Sequence, residues 1–296
     1  MHVSLILCLT GVACANGFSF SSGSDNFTVA LVRAPPAIYP YPQPSLDWKG
    51  LKHDINASVE LGVQYIEQAA SQGADLVAFP ELWFPGLHLY GTSLIDSGGQ
   101  VIQIRRKLRP SGGERTIFSN GTVDELKVFQ TQFGRLGLLE YWEHMHPPMT
   151  FAMQSQNENL HIAAFPFTPD LGVDTSLEST ENSMAGARYY AITGQTWTFV
   201  PSVGTAAVFS PNGTIVTQIQ ATEEYPARPI IYHSVNTTSF SDTPAYNVNG
   251  EFSWPQMQQI SETYPDYIPH VVGNFTLRRL NSVEQMKKTG PIPLNY

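Results

Sequence analysis

The stretch GLLEYWEHMHPP, Gly137 to Pro148, reads like a catalytic elbow. An apolar run leads to Tyr141, a Trp-Glu pair follows, and prolines turn the chain away. Two further stretches bring groups that could do chemistry. LVAFPELWFPG is a compact buried-strand candidate that releases Glu81 at its C-terminal end, and RRKLRPSGGERTIF delivers Lys107, with Glu114 seven residues on. A positioned carboxylate can move a proton, and an ammonium can stabilise developing negative charge. A tyrosine hydroxyl at the tip is a different matter. Its unperturbed pKa is about 10, so only a small fraction is ionised at neutral pH.

The cysteine count narrows the chemistry. The 296-residue chain has two cysteines, Cys8 and Cys14. Both lie in MHVSLILCLTGVACA, a short apolar segment ending in a small-x-small site, which predicts a signal peptide cleaved after Ala15. The mature chain would then have no disulfide, no zinc-thiolate site and no thiolate nucleophile. Six Asn-x-Ser/Thr sequons, at Asn26, Asn56, Asn120, Asn212, Asn236 and Asn274, agree with a secreted glycoprotein. No later apolar run is long enough to span a bilayer, so no membrane attachment is expected. The formal net charge of −9 argues against a nucleic-acid partner, which requires a basic face.

The elements that must hold these groups alternate between strand and helix. FTVALVR, Phe27 to Arg33, is a strand. Trp48 to Ser71 reads as a helix, with Leu51, Ile55, Val59, Val63, Ile66 and Ala70 at spacings of three and four. Leu89 to Ile95 and Val101 to Leu108 flank Asp96-Ser-Gly-Gly99 as a hairpin. Alternation around Arg106 turns Lys107 inward. Leu126 to Phe129, Arg135 to Leu139 and Leu160 to Phe165 are strands, Pro147 to Gln156 a helix, and Glu181 to Thr193 a helix with Ala185, Gly186 and Ala187 on its surface. Strands follow at Thr198 to Val203, Ala206 to Phe209, Ile215 to Ile219 and Pro229 to Val235. The pattern implies an α/β or α+β sandwich. Its parts are a leader at 1–15, a flexible lead-in at 16–25, one domain at 26–262 and a tail at 263–296, with no assignment beyond Ile260.

The three stretches, in this order, resemble the nitrilase branch of the carbon–nitrogen hydrolase superfamily and are similar to fungal nitrilases and cyanide hydratases. The flanks ARYYAITGQTWTFVPS, AAVFSPNGTIV and GEFSWPQM match as well, so the likeness runs from Phe27 to Met257. The resemblance implies a four-layer αββα sandwich, hydrolysis of nitriles to acids or amides, and no cofactor or metal. It places Glu81 as general base and Lys107 as electrostatic stabiliser. Glu114 and Glu143 are the groups that hold them, and Tyr141 stands at the position of the family's nucleophilic cysteine. A nitrile or amide is the implied small-molecule ligand. A second copy, or an active paralogue, is the implied protein partner.

The spacing departs from the family. Lys107 precedes Tyr141 by 34 residues, which suits it, but Glu81 precedes Lys107 by only 26. A helix–strand unit is missing between Gly86 and Tyr90, which predicts a sandwich truncated in one sheet. Other residues take ordinary readings. His144 and His146 are expected in surface or loop roles, because two histidines alone make a poor metal site. Trp142, Trp197 and Trp254 are expected in the core.

Overall fold

The structure, a computed structural model, describes residues 25–37, 54–83, 92–110, 115, 118–168, 179–221, 227–240 and 254–268. The leader, the tail beyond 268, the chain around Gly86 to Tyr90, Glu114 and Asn274 lie outside these residues.

Strand β1 (Asn26–Val32) buries Val29 to Val32 without a break, as a strand covered on both faces must. It pairs antiparallel with β13 (Ile230–Asn236) along all seven residues and parallel with β2 (Leu76–Ala78), giving a small sheet of order β13-β1-β2. The larger sheet has six strands in the order β12-β11-β9-β7-β6-β5. These are β5 (Phe129–Thr131), β6 (Gly134–Glu140), β7 (Leu160–Ala164), β9 (Trp197–Val200), β11 (Ala206–Phe209) and β12 (Ile215–Ile219). At its centre β6, β7 and β9 run parallel; β5, β11 and β12 pair antiparallel. Two short pairs complete the strands. One is the hairpin β3 (Ser93–Ile95) with β4 (Val101–Ile104), and the other is β8 (Phe167–Thr168) with β10 (Val203–Gly204).

One continuous core joins the two sheets, with Phe27, Val29 and Leu31 from the small sheet against Leu136, Leu138, Ile162, Phe199 and Val208 from the large one. Helix α1 (Ile55–Ser71) covers the outer face of the small sheet. Helix α3 (Thr180–Gly194) covers the large sheet, packing Ala187 and Ala191 on Ala163, Phe165, Val200 and Phe209. Helix α2 (Pro147–Gln154) adds Met153 against Leu139 and Tyr190 of α3. The layers are therefore αββα, with three strands in one sheet and six in the other among the described residues.

Local details differ from the sequence reading for steric reasons. The buried face of α1 is Ser58, Gly62, Ile66 and Ala69, and Val59 and Val63 are 42% and 44% exposed. Trp83 lies against the helix and donates its indole N–H to the Ser58 carbonyl at 3.3 Å. A Cβ on Gly62 would meet that indole nitrogen at 3.2 Å, so the close approach selects the face with small residues. The same logic corrects α3. Gly186 and Ala187 are buried, and a Cβ on Gly186 would come within 2.6 Å of the Met145 Cε. The strand expected at Leu126 to Phe129 is displaced: a 3-10 turn spans Val123–Glu125, Leu126 to Val128 are irregular, and β5 begins at Phe129. Helix α4 (Trp254–Glu262), which opens within the motif GEFSWPQM, places Trp254 edge-on to Phe151 of α2. Trp254 is 59% exposed rather than in the core.

Candidate active site

The site forms where strands end. Glu81 follows β2, and its backbone N–H donates to the Phe165 carbonyl at 3.3 Å, tying the end of the small sheet to the end of β7. Leu82, next in the chain, has φ +64°, a left-handed turn that a leucine adopts only under constraint. Lys107 lies three residues beyond β4, and its Nζ donates to Glu81 Oε1 at 2.5 Å. Both side chains are buried.

Arg105 and Lys107 turn inward, and Arg106 between them faces outward to pair with Glu125. Arg105 donates both terminal nitrogens to Glu143 Oε2 in a buried ion pair. The same carboxylate accepts from the Leu108 N–H at 3.0 Å through Oε1 and from the Glu140 N–H at 3.0 Å through Oε2. Glu143 thus locks the chain after β4 to the chain after β6. It holds Arg105 and two backbone amides rather than the lysine.

Strand β6 ends at Glu140, and a 3-10 turn, Tyr141–Met145, follows. Glu140 and Glu143 cap this turn reciprocally: each carboxylate accepts from the other residue's backbone N–H. At the tip Tyr141 has φ +37°. A non-glycine residue held left-handed costs on the order of 1–3 kcal/mol, and such strain clusters at functional positions. The Tyr141 ring is half-buried, edge-on to Phe165 with centroids 5.3 Å apart and edge-on to Trp142 at 5.8 Å.

Glu140 is the site residue that the sequence reading missed. Its carboxyl is held well above the usual carboxylate range, first by burial and then by the negative charge of Glu81, with Glu143 adding to the effect. The positive charges of Lys107 and Arg105 pull in the opposite direction. Three carboxyl groups share the site with two cations, and a protonated Glu140 leaves the cluster electrically balanced. Its Oε1 is buried without a hydrogen-bond partner. The available signal was positional. Like Glu81, Glu140 ends a continuous apolar run.

His144 is the second correction. It is buried, with Nδ1 at 2.9 Å from the Tyr141 carbonyl and Nε2 at 3.0 Å from His161 Nε2, whereas His146 is exposed. Of the sequons, Asn26, Asn56, Asn212 and Asn236 are exposed and Asn120 is half-buried.

These features define an αββα sandwich with a buried Glu–Lys pair and a strained turn at its strand ends. The family model for carbon–nitrogen hydrolases matches residues 28–93 and 88–244, so the chain belongs to that family. The two matched pieces meet where the Glu81-to-Lys107 spacing is short. Its curated relatives are of the nitrilase branch. It is 31% identical to a nitrilase of Pseudomonas syringae pv. syringae, over 53% of this chain and 62% of the relative. It is 28% identical to an arylacetone-specific nitrilase of Alcaligenes faecalis, over 51% of this chain and 58% of the relative. It is also 28% identical to an arylacetonitrilase of Aspergillus kawachii, over 69% of this chain and 86% of the relative. The match thus spans about 60% of the length of the two bacterial nitrilases. Among solved structures, a carbon–nitrogen hydrolase of Helicobacter pylori superposes with a TM-score of 0.59 at 13% identity, covering 83% of this chain and all of the other. A Nesterenkonia amidase superposes with a TM-score of 0.54 at 14% identity, covering 74% and 94%. These likenesses show the fold.

Proposed function

We propose that this is a secreted nitrilase-type protein whose pocket is assembled but which cannot run thiol chemistry. The observation that carries this reading is the residue at the strained tip. The backbone at 141 keeps a left-handed turn beside a buried Glu–Lys pair, yet the side chain there is a tyrosine. Nitrile hydrolysis through a covalent intermediate needs a thiolate to attack the nitrile carbon. The only cysteines, Cys8 and Cys14, belong to the expected leader.

The remaining groups suit a small polar ligand. Lys107 offers an ammonium for a partly negative nitrogen or oxygen, and Glu81 a carboxylate for proton transfer. A protonated Glu140 adds a hydrogen-bond donor. A nitrile or an amide fits this set. The phenol at 141 is a weaker nucleophile at neutral pH than a thiolate. The short spacing between Glu81 and Lys107 supports a reading in which the small sheet lacks one of the family's helix–strand units. Four exposed sequons support passage through a secretory route.

The test is ammonia and amide formation by the purified mature protein on nitriles, amides and cyanide, with Glu81→Gln and Tyr141→Phe run beside it. The proposal expects no turnover by any of the three. Turnover by the parent that Glu81→Gln abolishes would overturn it, and loss in Tyr141→Phe would then identify the phenol as nucleophile.

A further inference from the structure

Behind the turn at Tyr141 lies a chain of four buried polar side chains drawn from four parts of the fold. Tyr190 of α3 donates its hydroxyl to Glu158 Oε2 at 3.0 Å. The same oxygen lies 2.8 Å from His161 Nδ1 on β7. His161 Nε2 lies 3.0 Å from His144 Nε2, and His144 Nδ1 lies 2.9 Å from the backbone carbonyl of Tyr141. His161 and Tyr190 are fully buried and stack with ring centroids 3.8 Å apart; His144 and Glu158 are each 3% exposed.

The carbonyl at one end fixes the direction of every bond. It can only accept, so His144 Nδ1 must carry the hydrogen. Burial, the facing His161 and the positive charge of Arg105 hold His144 well below its ordinary range, so the ring is neutral and its Nε2 accepts. His161 Nε2 must then donate. Burial and Arg105 likewise keep His161 neutral, against the opposing pull of Glu143, so its Nδ1 accepts. The hydrogen for that bond comes from Glu158, whose carboxyl burial pushes up to about 8 despite the Tyr190 hydrogen bond. Glu158 Oε1, buried without a hydrogen-bond partner, is then the carbonyl oxygen of an acid rather than half of a carboxylate. One proton shared by Glu158 and His161 satisfies the whole chain.

The backbone makes room for it. Glu158 lies over β6 at Gly137, where a Cβ would fall 2.0 Å from Oε1. His144 stacks on Phe165, the ring that also meets Tyr141.

We propose that Tyr190, Glu158, His161 and His144 form a one-directional hydrogen-bond relay that positions residue 141, holding its carbonyl inward so that its side chain stands at the tip of the site. The four are positioning residues; none is assigned contact with a ligand. The proposal rests on reading residue 141 as the tip of the pocket, but not on whether the pocket turns over. Removing the shared proton breaks the relay. With Glu158 ionised and His161 neutral, either two imidazole lone pairs face each other or the Tyr141 carbonyl loses its donor. The charged groups bearing on this step are Arg105, from the segment after β4, and Glu143, from the turn itself.

Two readings that require no turnover test it. Nitrogen-15 NMR of the full-length protein reports the histidine tautomers: the relay requires His144 protonated on Nδ1 and His161 on Nε2. His144 protonated on Nε2 alone would overturn it. The second reading uses Tyr141→Cys with Cys8→Ser and Cys14→Ser, which leaves one thiol, at the tip. In that protein His144→Phe should change the rate of thiol alkylation by iodoacetamide by about tenfold, the effect of a small displacement at a positioned group. Glu158→Gln, whose amide can still donate to His161, should leave the rate within about twofold at a fixed pH. Folding of each variant is checked by its thermal midpoint. An alkylation profile unchanged by His144→Phe in a folded protein, or altered equally by Glu158→Gln, contradicts the relay.

Discussion

Lys107 Nζ donates to Glu81 Oε1 at 2.5 Å in a closed site where the side chains are 2% and 5% exposed. Removing one partner takes a buried counter-charge away from the other. Lys107→Met is therefore expected to cost about 3–5 kcal/mol of stability, and Glu81→Gln less, because its amide still offers the ammonium an oxygen. The double variant Glu81→Gln/Lys107→Met should be less destabilised than the sum. Urea denaturation of the four proteins gives these values directly, and strict additivity would show that the two side chains do not depend on each other.

The Arg105–Glu143 pair should be the costlier one to break. Glu143→Ala removes the acceptor for Arg105 and for the Leu108 and Glu140 amides at once. A loss of about 3–5 kcal/mol is expected for the pair alone, with the orphaned amides adding to it. Arg105→Lys should not rescue the fold fully, because one ammonium cannot reproduce the two-pronged contact. Thermal unfolding of both variants checks this. A Glu143→Ala midpoint equal to the parent's would contradict the account.

Stability should be greatest at weakly acidic to neutral pH. Glu158, at about 8 in the fold against 4.5 ordinarily, binds its proton more tightly when folded. Its contribution is complete below about 4.5 and is lost as pH rises through 8. Glu140, also raised, acts in the same sense. His144 and His161 are lowered, so the folded state resists their protonation and loses stability as pH falls below about 6.5. Glu158→Gln should flatten the alkaline limb, and His144→Phe the acid one. Chemical denaturation at pH 5, 7 and 9 reads both, and an alkaline limb unchanged in Glu158→Gln would show that another group causes it.

Gly137→Ala should destabilise by about 1–3 kcal/mol, the usual cost of forcing extra volume into a packed interior. The new methyl group would sit 2.0 Å from Glu158 Oε1. Shortening Glu158 to serine in the same chain should recover part of that loss. Equal losses with and without the shortening would place the clash elsewhere.

What the sequence made legible follows from which signals are local. Glu81, Lys107 and Tyr141 could be picked out because each stands at a strand end within a recognisable stretch, and the inward turn of Lys107 follows from alternation around Arg106. The sandwich was readable from the order of strands and helices. Partnerships across the fold were not. Glu143 pairs with Arg105 across 38 residues, and nothing in YWEH indicates this. The burial of His144 depends on His161 and Tyr190 meeting it from separate elements. The buried face of α1 went to Ser58 and Gly62 because Trp83 packs there, a contact that hydrophobic spacing within the helix cannot reveal.

The most direct test is to restore the thiol. Tyr141→Cys in the mature protein is expected to form ammonia or amide from a nitrile at a rate that Glu81→Gln then abolishes, with the parent inert under the same conditions. Turnover by the parent itself, equally sensitive to Glu81→Gln, would contradict the claim that the tyrosine at this tip is what silences the site.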